Sequence, residues 1–288
     1  MISYQDLDPF IDSWFREDIG PGDHSTFSTI PKEATGHATL LVKQQGILAG
    51  VELASYIFRR FDASCELERI IADGSPISPG DKAFRVHGKV HSLLQCERLV
   101  LNVLQRMSGI ATQTREYVDL LEGTGTRILD TRKTTPGFRL LEKEAVRLGG
   151  GVNHRFGLYD MIMIKDNHID FAGGITKAIR ACREYLREKN LKLDIIVEAR
   201  TLEDVEEILG QAGIRRILLD NFSVEQTRRA LHLIQGRVES ESSGGITRET
   251  IRSYAECGVD FISVGALTHQ VRSLDLSLKA DISRVVRQ

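Results

Sequence analysis

The chain has 288 residues, of which 41% are hydrophobic and 27% are charged. This length is sufficient for one large domain or two ordinary ones with a substantial buried core. The 38 basic and 40 acidic side chains give a formal net charge of −2, which argues against a general nucleic-acid-binding protein, because such binding requires a basic excess.

The cysteines and the N-terminus predict the compartment. Cys65, Cys96, Cys182 and Cys257 are widely spaced and form no C-x-x-C pair, which argues against a zinc ribbon or a disulfide scaffold. The acidic N-terminal segment lacks the basic and apolar regions of a signal peptide, and no run of 18 uncharged apolar residues is present. We therefore expect a cytoplasmic protein without a membrane span.

The first part of the chain, residues 1 to about 110, predicts mixed helices and strands. Apolar residues at helical spacing predict a helix over 4–19, and a second helix is predicted over 50–61. Strands are predicted over 38–42, 67–71 and 83–91. A long helix is predicted over 93–121, either continuous or broken near Ser108 and Gly109.

From about residue 127 the pattern changes to short apolar runs that alternate with helical stretches. The runs lie at 127–130, 161–164, 193–197, 216–220, 238–240 and 261–264. Residues at or just after their ends recur at intervals of 22 to 34: Thr131, Lys165, Glu198, Asp220, Ser243 and Gly265. Such repeats predict parallel strands with external helices. A barrel, whose active sites lie at the carboxyl ends of the strands, is favoured over an open doubly wound sheet.

A final strand is predicted near the C-terminus. Leu274, Leu276 and Leu278 alternate with polar residues, as in a half-buried strand. We expect it to return to the N-terminal domain. The predicted domains are therefore 1–110, joined by 271–288, and 111–270.

Basic side chains concentrate between residues 130 and 168. They are Arg132, Lys133, Arg139, His154, Arg155, Lys165 and His168. Several cations in one concave site repel one another unless an anion joins them. Arginine suits planar carboxylates through paired hydrogen bonds, and lysine suits phosphate as a point charge. The cluster predicts a ligand with several negative charges.

The remaining strand ends are acidic or small. Glu198 and Asp220 suggest binding of sugar hydroxyls or a divalent cation, or stabilisation of a developing positive charge. Two glycine-containing turns, at 242–245 and 264–266, allow backbone N–H groups to approach a phosphate. Two other classes stay open: a Schiff-base aldolase that uses Lys165, and a non-catalytic sensor of nucleotides or phosphosugars.

Together these segments resemble the quinolinate phosphoribosyltransferase family. The similar motifs run in order over nearly the whole chain: REDIGPGDHST (16–26), ERLVLNVLQRMSGIAT (97–112), DTRKTTPGFR (130–139), AVRLGGGVNHR (145–155), IKDNHI (164–169), VEAR (197–200), LLDNF (218–222), SSGGI (242–246) and SVGALTH (263–269). The resemblance implies an N-terminal α/β sandwich domain and an incomplete, roughly seven-stranded α/β barrel. It also implies a homodimer, or a higher oligomer, in which the N-terminal domain of one subunit caps the barrel of the other.

The resemblance also implies a reaction: phosphoribosyl transfer from phosphoribosyl pyrophosphate to quinolinate with decarboxylation, giving nicotinate mononucleotide, CO2 and pyrophosphate in NAD biosynthesis. Mg2+ is the expected cofactor, and no organic cofactor, nucleic acid or membrane partner is expected. Within the fold, a molybdenum-transport-associated relative and a nicotinate-specific enzyme are alternatives. The set of carboxylate-binding residues favours quinolinate.

The resemblance assigns roles to individual residues. The carboxylates of quinolinate are matched by Arg132, His154, Arg155 and Lys165, with Arg98 contributed by the partner subunit. Lys133 and Lys165 also match residues that meet pyrophosphate, and Thr131 lies beside them. Glu198 and Asp220 match contacts to ribose hydroxyls and to magnesium, directly or through substrate and water. The 5-phosphate is matched by Ser243, Gly244, Gly245, Val264, Gly265 and Ala266. The catalytic residues implied are Lys133, Lys165, Glu198 and Asp220.

Overall fold

The computed structural model describes residues 4–281. Contacts divide the chain into two units. The first contains the residues up to Arg115, Pro136–Gly150 and the residues from Gln270 onward; the second contains Glu116–Thr135 and Gly151–His269. None of the described helices combines the length and apolar composition that a bilayer crossing demands.

The first unit is built on a four-stranded antiparallel sheet and a separate two-stranded pair. Its strands are β1 (Thr35–Val42), β2 (Gly46–Ile47), β3 (Glu66–Arg69), β4 (Pro76–Ile77), β5 (Lys82–Lys89) and β12 (Leu276–Ala280). The sheet has the order β12-β1-β5-β3, and β2 pairs with β4. Its helices are a 3-10 turn at Tyr4–Leu7, α1 (Asp8–Ile19), α2 (His24–Thr29), α3 (Val51–Phe61), α5 (Arg139–Leu148) and most of α4 (Val90–Leu120). This mixed composition is the one predicted.

The N-terminus of α3 shows how a side chain from outside a helix determines where it begins. The carboxylate of Asp73 accepts backbone hydrogen bonds from Gly50 at 2.7 Å, Val51 at 2.9 Å and Glu52 at 3.3 Å. These N–H groups have no partner within the helix, and a carboxylate is also favoured by the helix dipole at this end. Helix α3 therefore begins where Asp73 can reach it.

Helix α4 is continuous, so the break considered near Ser108 and Gly109 was wrong. The Ser108 hydroxyl bonds to the backbone N–H and C=O of Ala49, and the Thr112 hydroxyl accepts from the N–H of Ile47. A Cβ on Gly109 would lie 2.2 Å from the carbonyl oxygen of Arg272. The small residues allow two backbone segments to approach the helix closely, and they do not interrupt it.

The second unit contains a sheet of six parallel strands. The strands are β6 (Arg127–Leu129), β7 (Ile162–Ile164), β8 (Ile195–Ala199), β9 (Arg216–Asp220), β10 (Glu239–Ser243) and β11 (Phe261–Ser263). Their order in the sheet is β6-β11-β10-β9-β8-β7. The helices are α6 (Asp166–Ala172), α7 (Ile175–Glu188), α8 (Leu202–Leu209), α9 (Val224–Ile234), α10 (Ile251–Ala255) and α11 (Ala266–His269).

The strand order identifies an incomplete barrel. Strand β6 is the first in the sequence and pairs with β11, the last, whereas an open doubly wound sheet begins at an interior strand. Val152 forms a single parallel bridge to Leu129 on the other side of β6. The sheet is not closed between this bridge and β7. The predicted barrel is confirmed, with six strands and one bridging residue in a seventh position.

Two strands are displaced along the sequence relative to their predicted positions. Strand β8 ends at Ala199, so Glu198 lies inside the strand and not just after it. Strand β10 extends to Ser243, which places Glu241 within it. Both shifts reflect polar residues that face the barrel interior, where apolar periodicity gives no signal.

The alternating leucines near the C-terminus form the predicted strand. In β12, Leu276 and Leu278 are buried and pair opposite Val42 and Leu40 of β1. Residues 282–288 of the predicted C-terminal segment lie outside the described residues. The limits 1–110 with 271–288, and 111–270, stay a prediction.

We expect Gly109→Ala to destabilise the protein by about 1–3 kcal/mol, because the added methyl group cannot fit beside the Arg272 carbonyl. Denaturant unfolding measures the change. Gly210→Ala is the control, because its φ is −72° and its new Cβ would lie 3.3 Å from the nearest carbonyl oxygen. Equal stability of the Gly109→Ala and wild-type proteins would contradict the close approach.

Candidate active site

The predicted strand-end residues are gathered by the parallel sheet of the second unit. Asp220 and Ser243 end adjacent strands and pair in register. Glu198 is the penultimate residue of β8, and Lys165 follows β7 directly. Thr131 and Gly265 follow β6 and β11 by two residues. Since all carboxyl ends of parallel strands lie at one edge, this edge carries the candidate site.

Arg155 is the most unusual cation in the site. Its residue is only 8% exposed, and Nη1 donates to the carbonyl oxygen of Met161 at 3.2 Å. Burial, together with the positive charge of Arg132, lowers the pKa of the Arg155 guanidinium below its ordinary value. The structure therefore brings Arg132 and Arg155 close enough to repel each other.

The site cations differ in their partners from Arg216, a buried arginine of the same unit. Arg216 is paired with Glu239 at 3.0 Å and with Glu241 at 2.9 Å. In the part of the chain that the structure describes, no carboxylate forms an ion pair with Arg132, Lys133, Arg155 or Lys165. A group of cations without carboxylate partners at one edge of the sheet can bind an anion.

The acidic residues lie next to one of these cations. The backbone N–H of Asp166 donates to Oε1 of Glu198 at 3.3 Å. Burial, and secondarily the negative charge of Asp220, raises the pKa of Glu198, although this hydrogen bond and the charge of Lys165 oppose the rise. Glu198, Asp220 and Lys165 therefore interact electrostatically. Two carboxylates and an ammonium group at one point can face a sugar and a charged leaving group.

The glycine turn after β10 is packed against Asn221. Gly244 has a φ of +92°, and a Cβ there would lie 2.2 Å from Oδ1 of Asn221. The side chain of Asn221 donates to Asp220 at 2.7 Å, and its backbone N–H donates to the carbonyl of Ser243 at 2.8 Å. This turn requires glycine and is tied to the acidic residue of the neighbouring strand.

The turn after β11 lies against Lys133. A Cβ on Gly265 would lie 3.0 Å from Cδ of Lys133, and the Thr268 hydroxyl donates to the Lys133 carbonyl at 2.8 Å. The backbone N–H of Val264 donates to the Leu129 carbonyl at 3.0 Å. Gly265 and Ala266, at the start of α11, are thus held beside the segment that carries Arg132 and Lys133.

Sequence analysis did not identify three charged residues of the barrel interior: Asp130, Arg216 and Glu241. Asp130, fully buried, accepts the backbone N–H of His154 at 2.8 Å. Glu241, also fully buried, contacts Arg216 and His154. The signal for Glu241 and Arg216 was the presence of charged residues inside runs that otherwise predict strands.

The predicted site residues are therefore not all assigned to one unit. The second unit brings together Arg132, Lys133, Arg155, Lys165, Glu198, Asp220 and the two glycine turns. Arg98 belongs to the first unit, where it is exposed on α4.

Family comparisons cover almost the whole chain. The family model described as the N-terminal domain of quinolinate phosphoribosyl transferase matches residues 23–108, and the model of the C-terminal domain matches residues 110–279. The chain belongs to the quinolinate phosphoribosyltransferase family. Membership supports a transferase over the Schiff-base aldolase and the sensor.

Relatives of this family are similar over most of their lengths. The chloroplastic nicotinate-nucleotide pyrophosphorylase [carboxylating] of Arabidopsis thaliana is 46% identical over 96% of this chain and 83% of its own length. A probable enzyme of the same name from Bacillus subtilis is 41% identical over 98% of this chain and 96% of its own. The crystal structure of NadC from Streptococcus pyogenes has a TM-score of 0.92 and 40% identity, covering 97% of both chains.

Glu198→Gln should stabilise the protein at neutral pH. The raised pKa means that the folded state holds this proton more tightly than the unfolded state, so the group's contribution to stability is largest in acid and falls as pH rises through both pKa values. Glutamine cannot ionise. The variant should therefore exceed the wild type in free energy of unfolding at pH 7 and match it below about pH 4.

Glu203→Gln is the matched control for this measurement. Hydrogen bonds from its own backbone N–H and from Thr201 lower the pKa of Glu203, so its loss should destabilise slightly at neutral pH. Chemical denaturation at both pH values gives the sign. A Glu198→Gln protein that is less stable than the wild type at pH 7 would contradict the burial argument.

Proposed function

We infer that this chain transfers the phosphoribosyl group of phosphoribosyl pyrophosphate to quinolinate and releases CO2, giving nicotinate mononucleotide and pyrophosphate for NAD biosynthesis. Family membership over both domains supports this reaction. The observation that carries it is the buried guanidinium of Arg155, which repels Arg132 and has no ion-pair partner among the described residues. A dicarboxylate would relieve that repulsion.

Quinolinate carries two neighbouring carboxylates. The side chains proposed to bind them are those whose charge and geometry suit a carboxylate. Arg132 and Arg155 can form paired hydrogen bonds with planar carboxylates, and Lys165 supplies a point charge. The predicted set also contains His154, whose Nδ1 accepts the backbone N–H of Arg155. Thr131 accepts the N–H of Lys133 at 3.1 Å and so shapes the segment that presents Arg132.

Phosphoribosyl pyrophosphate would lie along the remaining strand ends. Lys133 and Lys165 would meet the pyrophosphate, and Glu198 and Asp220 would meet the ribose hydroxyls. The backbone N–H groups of Gly244, Gly245 and Gly265 would meet the 5-phosphate, in turns that also contain Ser243, Val264 and Ala266. Barrels often bind phosphate in the loops after their last strands, which supports this orientation.

Magnesium fits this arrangement as a substrate-bound ion. No group of three or more potential ligands occurs among the described residues. Mg2+ commonly binds one or two carboxylates together with substrate phosphates and water. Glu198 and Asp220, whose mutual repulsion contributes to the raised pKa of Glu198, would hold it directly or through substrate and water. When bound, the ion supplies charge stabilisation to the pyrophosphate.

The proposed reaction has two steps. The pyridine nitrogen donates its electron pair to C1 of the ribose while the C1–O bond breaks and its electrons leave with pyrophosphate. Lys133 and Lys165 stabilise the leaving group, and Glu198 and Asp220 favour the positive ribose. The quaternised nitrogen then accepts electron density as the 2-carboxylate leaves as CO2, and ring C2 takes up a proton.

The proposal is tested by incubating the protein with quinolinate, phosphoribosyl pyrophosphate and Mg2+ and measuring nicotinate mononucleotide and CO2. Nicotinate replaces quinolinate in the substrate control. Arg132→Ala should reduce kcat/KM for quinolinate by a factor equivalent to about 2–5 kcal/mol, because it leaves a carboxylate unpaired. Arg180→Ala, on the exposed surface of α7, should leave kcat/KM unchanged. Turnover of nicotinate alone would refute the substrate assignment.

We further propose that the enzyme is a homodimer, or a larger assembly of such dimers, and that Arg98 reaches the site of the partner subunit. Arg98 is exposed on its own helix. Large apolar side chains are also exposed in the segments after Arg155 and Lys165: Leu158 is 70% exposed, Tyr159 71% and Phe171 93%. Exposed apolar side chains of this size support an interface.

Mixing two inactive variants tests the shared site. If Arg98 acts in trans, subunits carrying Arg98→Ala and subunits carrying Arg132→Ala form heterodimers with one intact site. Unfolding and refolding an equal mixture should then restore about a quarter of wild-type activity. Refolding each variant alone is the control. No gain over the separate variants would place Arg98 in its own subunit's site or outside any site.

Localisation in the cytoplasm is part of the proposal. All four cysteines are free thiols, and burial raises the pKa of Cys65 to about 11. Unpaired, unreactive thiols are consistent with a reducing compartment.

A further inference from the structure

Glu241 is a buried carboxylate to which the proposed reaction gives no role. It lies on β10 with 0% exposure. Its Oε2 is 2.9 Å from Nη1 of Arg216 and 3.3 Å from Nε2 of His154. Burial alone would raise its pKa, but contacts with His154 and Arg216 outweigh burial and lower the pKa of Glu241 below its ordinary value. Glu241 is therefore an anion inside the barrel.

The imidazole of His154 is engaged on both sides. Its Nδ1 accepts the backbone N–H of Arg155 at 2.8 Å, and the side chain is 5% exposed. In a neutral imidazole one nitrogen accepts and the other donates. Because Nδ1 accepts, the hydrogen belongs on Nε2, which is the nitrogen that faces Glu241.

The contacts form one continuous path from the barrel interior to a site cation. Arg216 holds Glu241, Glu241 faces His154, and His154 accepts from the backbone of Arg155. The backbone N–H of His154 is held as well, because it donates to Asp130 at 2.8 Å. Arg155 then places its guanidinium beside the Met161 carbonyl. Orientation of a ligand-binding group by such outer contacts is a general requirement of binding sites.

We propose that Glu241 is a positioning residue for the quinolinate carboxylate site: it orients the imidazole of His154, which fixes the backbone of Arg155 and so the guanidinium that binds the substrate. This inference rests on the proposed function. It makes His154 a support for Arg155 and not a direct ligand of quinolinate.

The charge of Glu241 matters because one of its oxygens faces two donors. Oε2 lies near both Nη1 of Arg216 and Nε2 of His154. A glutamine has the same shape, but its amide oxygen in that position is a neutral and therefore weaker acceptor. The reverse orientation of the amide would direct its N–H groups at both donors. In either orientation the imidazole that supports the backbone of Arg155 is held less firmly.

Glu239 supplies the matched control. It lies two residues earlier on the same strand and pairs with the same Arg216 at 3.0 Å. Its other ion pair is with Arg215, at 2.7 Å. Glu239→Gln removes one negative charge beside Arg216 without changing a contact to His154.

The first experiment compares steady-state kinetics of the two variants with the wild type. Glu241→Gln should raise KM for quinolinate about tenfold, the typical effect of disturbing a buried hydrogen-bonding group, and leave KM for phosphoribosyl pyrophosphate within about twofold. Glu239→Gln should change neither KM by more than about twofold. Equal effects on both substrates, or the same effect in both variants, would overturn the positioning role.

The second experiment replaces His154 by two amides that mimic different ring nitrogens. The amide oxygen of His154→Asn can occupy the position of Nδ1, and the amide of His154→Gln that of Nε2. If His154 supports Arg155, His154→Asn should preserve the wild-type KM for quinolinate better than His154→Gln does. Better preservation by Gln would mean that His154 binds quinolinate through Nε2, and it would overturn the proposal.

A spectroscopic measurement separates this inference from the reaction itself. The 15N shifts of His154 in the substrate-free wild-type protein should show a bare Nδ1 and a protonated Nε2, and Glu241→Gln should move the Nε2 shift, because the acceptor that faces this nitrogen loses its charge. If the wild type makes no nicotinate mononucleotide, the proposed function fails. If the tautomer is the opposite one, the positioning role fails, whatever the enzyme's activity.

Discussion

Electrostatic repulsion between cations held at one edge of the parallel sheet is the constraint on which the site depends. Burial lowers the pKa of the Arg155 guanidinium, and the positive charge of Arg132 nearby lowers it further. Two neighbouring cations, one of them buried, are unfavourable unless an anion compensates their charge. The backbone of β6, the bridge at Val152 and the hydrogen bonds of His154 hold them in place, and the proposed doubly anionic substrate would supply the missing charge.

The barrel interior uses the same side-chain types in the opposite way. Arg216 is enclosed by Glu239 and Glu241, and its guanidinium lies 3.9 Å from the ring centre of Phe261. Two carboxylates and an aromatic ring therefore compensate the charge of this arginine. The charge of Arg216 is therefore neutralised inside the barrel, whereas Arg132 and Arg155 have no ion-pair partner among the described residues at the carboxyl ends of the strands, where the proposed substrates would bind.

The acidic residues of the site also lie in an unfavourable electrostatic environment. Glu198 has a raised pKa because it is buried near Asp220, although Lys165 opposes the shift. An ionised carboxylate in this position destabilises the folded protein at neutral pH and is suited to a positive sugar or a metal ion. Such unfavourable positions are typical of functional sites, where stability is lost in exchange for preorganised charge.

The sequence by itself determined the alternation of strands and helices, the strand-end positions of Lys165, Asp220 and Ser243, and the family, because apolar periodicity and local motifs are short-range properties of the chain. It also indicated the final strand through Leu274, Leu276 and Leu278. Only the tertiary structure decided that α4 continues through Gly109. The glycine is required there because the backbone of Arg272 approaches the helix closely, and local helix propensity does not reveal this contact. Only the fold showed Glu241 beneath His154, because 87 positions of sequence separate them and strand pairing in the barrel brings them to 3.3 Å.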